Sequence, residues 1–548
     1  MLPKVPYESG TARVAALRFG GLDRRDAAGA AAVTDMENLC GDALPALSSR
    51  PKRLTLWALT APAGVFGTAD ALFYVDAGRL YRNGSPYAGT LPAPAGTMRQ
   101  FACMGERLLL WPDKRCYDTK KALDAADAQS ALEASVTASC TFADGTYGGV
   151  AAAGNTLLGP AGLDWSAHFR VGDGVTISGA ADAGNNKTAV VREIAGNALR
   201  FYENTFTVNA TAASVTVARS VPDLDYICVC DNRLWGCKGD TIRCCKLGDP
   251  GNWNVFDGLS TDAWSVETGT PGAFTGCVSF MGYPIFFKED RVFKVYGNKP
   301  ANFEVMASAA LGVLPGAERT LAVAGETLYY LSRAGFVRYN GGYPTRVDEA
   351  LAARYTSGAA GSDGRRYYVS AQRADGTREF LAYDGARGVW HREDALNAAA
   401  LAYGAGRLAA QTAAALLSVG PMPADAGSAT AEADFESAAT LGPFDGVRFT
   451  RGGSVFAAKY PVRLWLRYAL APFAEGGTPP TLTVHLSYDG GEFETAAVLP
   501  AGGRQARSAA VPVRRCDGFR VRLTADGAWK LYALELELRA ERKNRKEG

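Results

Sequence analysis

The stretch from residue 223 to residue 300 constrains the fold most, because its apolar residues recur with a period of two. Apolar side chains alternate through residues 226–230, an Asp-Asn pair follows, and a second apolar run occupies residues 234–237 before the turn at Gly239-Asp240. Short alternating runs separated by tight polar turns are typical of antiparallel strands joined as hairpins. The pattern restarts at Cys277, so the stretch predicts a repeated β-meander.

The same sequence pattern, an apolar run followed by a polar turn and an aromatic strand, recurs along the chain. From Leu234 onward the copies begin at intervals of roughly 40 to 50 residues, the spacing of four-stranded propeller blades. The longer gap between Leu108 and Leu234 fits one such interval plus an insertion. We therefore predict an all-β protein: a β-propeller of six or seven blades with an inserted small β-barrel or sandwich and a C-terminal β-sandwich. The further copies lie at 72–81, 108–117, 328–339, 367–383 and 408–417.

Changes in composition predict the domain boundaries. An Ala-, Gly- and Pro-rich segment separates the meanders from a strictly alternating C-terminal region, which is typical of sheets with one solvated face. The inserted domain is either a contact module or a rigid spacer, and residues 118–134 form either a short helix or a polar linker. The predicted domains are an N-terminal extended arm (1–60), the propeller (61–134 and 220–420), the insertion (135–219), a linker (421–446) and the C-terminal sandwich with a basic tail (447–548).

Composition and charge exclude several classes of protein. The chain is 47% hydrophobic and 21% charged, as in ordinary globular proteins, and it contains no apolar run long enough to predict a membrane-spanning segment or a secretion signal. Its 58 basic and 56 acidic residues give a net charge of +2, which is not the clustered excess of positive charge that is typical of nucleic-acid-binding proteins. The basic tail at 539–546 is either a solvated end or a contact to an acidic neighbour or nucleic acid.

Five of the eleven cysteines crowd into residues 228–245 and raise the question of a metal site. Strand alternation places Cys228 and Cys230 on one face, whereas the adjacent Cys244 and Cys245 must face opposite sides. The spacings match no zinc knuckle. We therefore interpret these residues as buried thiols in a reducing compartment and predict no metal site.

No catalytic motif emerges from the sequence. The histidines His168, His391 and His485 lie in three different predicted modules, and no HExxH, GxSxG or P-loop pattern occurs. Acidic residues lie near Trp253 and Trp264 in the sequence. They predict either a sugar-binding surface of indole rings with paired carboxylates, or aspartates that form turns beside packed indoles. We predict that the protein is not an enzyme and has no catalytic residue, cofactor or metal.

The first 60 residues contain buried-type side chains without a long periodic element to bury them. Ordering such a segment alone costs free energy, so it closes the propeller, grips a neighbouring subunit, or does both. On the second interpretation, deleting residues 1–50 leaves a folded chain that no longer assembles. The predicted subunit-contact residues are Phe19, Arg24, Arg25, Leu39, Leu47, Arg50 and Arg53.

Two distant segments together carry a resemblance to a known family. The order FGGLD at 19–23 with ENLCGDALPALSSRP at 37–51, and RRCDGFRVRL with WKLYAL near the C-terminus, resemble the tail nozzle and tail-hub proteins of tailed bacteriophages, of the packaged-DNA stabilisation type. The matching residues are Gly20, Gly21, Asn38, Leu47, Arg50 and Pro51, then Arg514, Arg515, Cys516, Asp517, Phe519, Arg520, Arg522, Leu523, Trp529, Leu531, Tyr532 and Leu534.

The resemblance implies a virion structural protein that forms a ring in the tail or neck. It implies a sixfold homo-oligomer in contact with neighbouring phage proteins, around a channel through which double-stranded DNA passes without specific binding. The protein is then expected in the virion, after synthesis in the host bacterial cytoplasm. A near-neutral charge fits a lumen that releases DNA. A host-surface adhesin or baseplate protein, and a glycan-cleaving propeller enzyme, are the alternatives.

Overall fold

A computed structural model describes residues 10–25, 32–202, 205–420, 430–449, 456–474 and 476–540. The regular elements in these ranges are β-strands and single 3-10 turns, so the all-β prediction is confirmed. Residues 118–134 form turns and a short strand rather than a helix, and within the described ranges no helix is long and apolar enough to cross a membrane. Residues 421–429 of the predicted linker and 541–548 of the predicted tail lie outside the described residues. The 3-10 turns are Trp165–Ala167, Ala183–Asn185, Pro300–Asn302, Glu318–Thr320 and Glu349–Leu351.

The described residues form two compact units, the first within 1–60, 67–72 and 319–548 and the second within 61–66 and 73–318. Two sheets of the first unit contain the C-terminal strands. In spatial order, one sheet is β3 (Leu39–Cys40), β4 (Leu47–Ser49), β46 (Ala528–Ala540), β41 (Lys459–Ala471) and β44 (Gly502–Ala510), and β1 (Thr11–Ala16) also pairs with β46. The other is β2 (Val33–Glu37), β40 (Ser437–Leu441), β45 (Phe519–Ala525), β42 (Thr481–Tyr488) and β43 (Glu494–Pro500).

These pairings correct the prediction of a separate N-terminal arm. Thr11 pairs with Arg539, and Leu47 pairs with Leu531, so strands from both ends of the chain share one sheet. β2 likewise pairs with β40 in the second sheet. The physical reason is that an unpaired strand edge leaves backbone N–H and C=O groups without partners, and the N-terminal strands supply those partners. The sheets predicted to begin at residue 447 therefore include strands from both ends of the chain.

Three meander sheets complete the first unit. The N-terminal strand β5 extends the last of them, because it pairs with β38. The first strands of these sheets, β28, β32 and β36, contact one another in succession. The sheets are β28 (Ala322–Ala324), β29 (Thr327–Ser332), β30 (Gly335–Tyr339), β31 (Thr345–Arg346); β32 (Tyr355–Ser362), β33 (Arg366–Arg373), β34 (Arg378–Asp384), β35 (Val389–Asp394); and β36 (Ala400–Gly404), β37 (Arg407–Gln411), β38 (Ala415–Val419), β5 (Leu54–Ala58), β39 (Thr430–Ala431).

The second unit contains four further meander sheets. Its strands β10, β20 and β24, the first of their sheets, also contact one another in succession. The sheets are β6 (Pro62–Gly67), β7 (Leu72–Asp76), β8 (Arg79–Arg82), β9 (Ser85–Pro86); β10 (Gln100–Met104), β11 (Arg107–Trp111), β12 (Arg115–Asp118), β13 (Gln129–Ala131); β20 (Tyr226–Cys230), β21 (Arg233–Lys238), β22 (Thr241–Cys244), β23 (Trp264–Glu267); and β24 (Gly276–Phe280), β25 (Tyr283–Lys288), β26 (Arg291–Tyr296), β27 (Glu304–Ala309).

A closed six-stranded barrel lies between β13 and β20 in the sequence, where the sequence predicted an inserted domain at 135–219. Trp165, Phe169 and Phe201 fill its own hydrophobic core. β10 and β20 nevertheless contact each other, so the barrel does not separate the sheets that flank it in the chain. Its strands, in spatial order, are β14 (Ala134–Tyr147), β15 (Val150–Leu158), β18 (Ala198–Phe201), β17 (Thr188–Ala195), β16 (Gly174–Ser178) and β19 (Asn209–Arg219).

Deletion of residues 1–50 is now expected to unfold the first unit rather than leave it folded. The deletion removes β1 to β4 and uncovers apolar residues of β46 such as Leu531. Thermal unfolding followed by near-ultraviolet circular dichroism measures the effect. Deletion of residues 1–9, which removes no described strand, is the control. A native-like melting transition in the longer deletion would contradict the strand pairing.

Candidate functional site

Three of the predicted contact residues are apolar side chains that the chain buries against itself. Phe19, Leu39 and Leu47 expose 4%, 0% and 0% of their surfaces. Leu47 pairs with Leu531, and the backbone N–H of Phe19 donates to the carbonyl of Pro45 at 2.9 Å. These side chains are unavailable to a neighbouring subunit in this fold, which corrects that part of the prediction.

Two further predicted contact residues, Arg50 and Arg53, lie in a buried ion network with Glu393, Asp394 and Glu432. Arg53 Nη2 is 2.8 Å from Glu393 Oε2, and a second nitrogen of Arg53 pairs with Asp394. Arg50 Nη2 is 3.3 Å from Asp394 Oδ2, and Arg50 also pairs with Glu432. Each arginine is 4% exposed. Both residues therefore bind their own chain, and their assignment to a subunit contact is corrected as well.

Aromatic rings and an amide complete the surroundings of the buried ion network. The Arg50 guanidinium lies 4.1 Å from the Phe435 ring centroid, and its Nε donates to Asn38 Oδ1 at 2.9 Å. The Arg53 guanidinium lies 4.9 Å from the Phe380 centroid. Burial alone would raise the pKa of Asp394, but the two arginines hold that pKa below its ordinary value. The carboxylate therefore stays ionised, and the network holds together segments that are distant in sequence.

Replacement of Arg53 by Met should lower the free energy of unfolding by about 3–5 kcal/mol, because it leaves buried carboxylates without their counter-charge. Urea denaturation measures the change. The matched control is Arg13→Gln: Arg13 is 62% exposed and 3.3 Å from Glu535, and such surface pairs contribute about 0–1 kcal/mol. Equal effects of the two substitutions would contradict a structural role for the network.

The remaining predicted contact residues, Arg24 and Arg25, line an open cleft of about 410 Å³. The Arg25 side chain is 55% exposed and that of Arg24 is 18% exposed. We call this feature the arginine cleft. Its full lining is Arg24, Arg25, Thr34, Asp35, Thr440, Pro443, Phe493, Arg520 and Arg522.

Asp35, Thr440 and Arg522 of the cleft lining belong to one row of paired residues across the second sheet. Asp35 on β2 pairs with Thr440 on β40, Thr440 pairs with Arg522 on β45, and Arg522 pairs with His485 on β42. Directly paired residues share a face of a sheet. The neighbouring residue Leu523 is fully buried, so this row faces away from the core.

The charges in the arginine cleft are unevenly compensated. Arg24 donates to both oxygens of Glu379, at 3.2 and 2.7 Å, and Arg25 pairs with Asp23 at 2.7 Å. Within the described residues, neither Arg520 nor Arg522 has an ion pair or a hydrogen bond from its side chain. The guanidinium of Arg522 lies 6.0 Å from the ring centroid of Phe493. The cleft therefore presents two uncompensated cations beside an aromatic ring.

Sequence reasoning missed the role of this cleft. The alternation of Phe519-Arg520-Val521-Arg522-Leu523 was enough to place both arginines on one face of a strand. The pattern gave no sign that β2 and the Arg24-Arg25 segment lie beside that face. Nothing in the sequence around Phe493 or Asp35 indicates that these residues line a cleft.

His391 and Cys40 are two buried titratable side chains near Asp42. Cys40 Sγ is 3.5 Å from Asp42 Oδ2, and burial together with Asp42 raises the pKa of the thiol to about 12. His391 is 2% exposed, and burial and the nearby Arg366 lower its pKa to about 4. At neutral pH this site contains a protonated thiol and a neutral imidazole, neither of which is accessible to a substrate.

The buried imidazole predicts a pH dependence of stability. The pKa of His391 is about 4 in the folded protein, against an ordinary value of 6.5, so the unfolded chain takes up the proton first. The free energy of unfolding should therefore fall as pH drops from about 6.5 to about 4, by up to about 1.4 kcal/mol per pH unit from this group. Carboxylates with lowered pKa add losses at the acidic end in every variant.

Urea titrations at several pH values test this prediction with His391→Gln, which has no titrating ring. The variant should show a flatter profile than the parent between pH 6.5 and pH 4. His168→Gln is the control, because the His168 side chain is exposed. Parallel profiles for the parent and His391→Gln would contradict the burial of a neutral imidazole.

The cysteine cluster divides between two hydrophobic cores as strand alternation predicts. Cys228, Cys230, Cys237 and Cys244 pack in one core, whereas Cys245 packs in another. Burial raises the pKa of Cys230 to about 11 and that of Cys244 to about 12. All eleven cysteines are free, and among the described residues no group of three or more ligand-type side chains is arranged to hold a metal ion.

The indoles near the acidic residues are packed rather than presented to solvent. Trp253 is 5% exposed, and its Nε1 donates to the Pro250 carbonyl at 2.8 Å. Trp264 lies 6.0 Å from Trp235 in an edge-to-face contact. Asp262 is 2% exposed. This arrangement fits turn-forming aspartates beside packed indoles better than a sugar-binding surface.

No protein-family model and no curated protein matches the sequence. Among solved structures, PorZ, an essential bacterial surface component of the type-IX secretion system of Porphyromonas gingivalis, is 13% identical with a TM-score of 0.23, over 65% of this chain and 42% of PorZ. A glycoside hydrolase is 9% identical with a TM-score of 0.19, over 88% of this chain and 100% of the hydrolase. A Bacillus thuringiensis Cry1Da tryptic core variant is 9% identical with a TM-score of 0.16, over 58% and 52%. Similarities this low carry no argument about function.

Proposed function

We propose that the protein is a structural subunit of a tailed-phage virion that forms a ring in the tail or neck around the DNA exit channel. The observation that carries this proposal is the pairing of β4 with β46, in which Leu47 meets Leu531 and Ser48 meets Lys530. Leu47 and Leu531 belong to the two segments that carry the resemblance to tail nozzle and tail-hub proteins. Because these two residues pair within one sheet, the two segments that carry the resemblance belong to one structural feature, and this supports the proposal.

The proposed scaffold is a β-propeller. The described residues form seven meander sheets, which lies within the predicted six or seven blades. The first strands β10, β20 and β24 contact one another in succession, as do β28, β32 and β36, which is the arrangement of the innermost strands of propeller blades. β5 adds an N-terminal strand to the sheet of β36 to β38. An N-terminal strand that pairs with a late sheet of the chain in this way would close a propeller.

The subunit contact in this proposal lies on the second unit, where apolar side chains are exposed beside the barrel. The loop patch consists of Val171, Leu247, Phe256 and Leu259, which are 61%, 43%, 62% and 58% exposed. Lys246 Nζ donates to the Gly172 carbonyl at 3.3 Å, so the loop from β22 to β23 meets the barrel there. Exposed apolar patches mark interaction sites, and a ring of identical copies needs a heterologous contact of this kind.

The charge balance supports a channel-forming role without specific DNA binding. The net charge is +2 from 58 basic and 56 acidic residues. A strongly basic lumen would retain DNA through counterion release. A non-enzymatic role is part of the proposal. The arginine cleft is lined by one carboxylate, Asp35, whereas a glycan-cleaving site needs two.

Mass photometry and negative-stain electron microscopy of the purified chain test the proposal. The parent protein should form closed rings with sixfold class averages. The variant Phe256→Ser/Leu259→Ser should remain folded and become monomeric, because it removes apolar area from the loop patch.

The matched control is Tyr343→Ser/Val513→Ser, which alters side chains that are 67% and 59% exposed outside the loop patch. It should assemble like the parent. A parent protein that is monomeric at micromolar concentration would contradict the ring. A control that also loses assembly would contradict the assignment of the contact to the loop patch.

A further inference from the structure

The arginine cleft has a cationic end, formed by Arg520 and Arg522, and an anionic end, formed by Asp35, on one face of a sheet. Arg520 and Arg522 are two residues apart on β45 and so share a face, and no described acidic side chain pairs with either. Like charges held side by side repel each other, and an anion placed between them relieves that repulsion. Guanidinium groups favour tetrahedral and planar oxyanions, because their N–H donors form paired hydrogen bonds.

Asp35 marks the opposite end of the arginine cleft. It is exposed, and its side chain forms no ion pair or hydrogen bond within the described residues. Asp35 lies two strands from Arg522 across β40, so their backbones are roughly 10 Å apart. An ionised carboxylate only accepts hydrogen bonds, so Asp35 suits a hydroxyl donor rather than a second anion. The Thr34 hydroxyl lies beside it in the lining.

Phe493 gives the cleft an apolar surface beside its cationic end. Phe493 is 36% exposed, and the Arg522 guanidinium lies 6.0 Å from the centroid of its ring. Such a ring packs against the C–H face of a cyclic ligand without requiring a polar partner. The volume of about 410 Å³ lies within the range of sites for small molecules.

We propose that the arginine cleft binds a phosphorylated sugar. The phosphate group lies between Arg520 and Arg522, the sugar ring packs against Phe493, and ring hydroxyls donate to Asp35. Arg24 and Arg25 are already paired with Glu379 and Asp23, so they shape the cleft and contribute less charge. The depressed pKa of His485, which burial and the charge of Arg522 both lower, agrees with a positive potential on this face.

Saturation-transfer NMR and isothermal titration calorimetry at low salt test the proposal on the full chain. The probes are glucose 6-phosphate, mannose 6-phosphate, N-acetylglucosamine 6-phosphate, inorganic phosphate and the three unphosphorylated sugars. At least one sugar phosphate should bind about tenfold more tightly than inorganic phosphate and than its own free sugar. Rising salt should weaken binding, because the contact is ionic.

Variants assign the binding to the arginine cleft. Arg520→Gln/Arg522→Gln should weaken sugar-phosphate binding by at least about tenfold, and Asp35→Ala should weaken it without weakening the binding of inorganic phosphate. The control is Arg507→Gln, on the exposed face of β44 outside the cleft, which should bind like the parent. Thermal unfolding checks that each variant is folded.

Three outcomes would overturn the proposal. Absence of binding by all three sugar phosphates excludes the ligand class, and equal affinity for inorganic phosphate shows a simple anion site. Equal effects of Arg507→Gln and the double substitution place the binding elsewhere. Ring formation is not required for any of these measurements, so their failure is distinguishable from failure of the proposed assembly.

Discussion

The contact of Arg53 with the carboxylates of Glu393 and Asp394 is the interaction on which the first unit depends. Arg53 precedes β5, the two acids end β35, and Arg50 extends the network to Glu432 beside β39. Burial of these charges is unfavourable unless every partner is present. The network therefore favours the single arrangement in which the N-terminal segment, a meander sheet and the start of the C-terminal region meet, and this arrangement also places β2 next to β40.

Strand alternation in the sequence predicted much of the fold because alternation is a local property. The meander around Leu234 and the opposite orientations of Cys244 and Cys245 follow from side chains that point to alternate faces. The pairing of Leu47 with Leu531 does not follow, because nothing near either residue specifies a partner at the other end of the chain. The buried-type residues of the N-terminal segment indicate that it needs a partner, and for Phe19, Leu39 and Leu47 that partner is the same chain.

The site shows the same division between local and distant information. The composition of the N-terminal segment predicts Arg24 and Arg25 as contact residues, and the structure places both at the arginine cleft. Arg50 and Arg53 lie in the same N-terminal segment, and nothing in its composition distinguishes them from Arg24 and Arg25. They are nevertheless buried, because acidic residues more than 300 positions away in the sequence form ion pairs with them. The sequence pattern on β45 indicates that Arg520 and Arg522 share a face, yet only the sheet order β2–β40–β45 places Asp35 opposite them. A rigid sheet can thus present charged groups at a fixed separation, independently of how copies of the chain assemble.

Hydrogen–deuterium exchange measured by mass spectrometry tests most directly whether the two ends of the chain form one cooperative structure. Peptides from residues 33–53 and from residues 519–540 should show similar slow exchange in the parent protein. In the Arg53→Met variant both sets should lose protection together, because the same sheets and the same buried ion network hold them. Fast exchange of the N-terminal peptides in the parent, or loss of protection at the N-terminal peptides alone in the variant, would contradict this account.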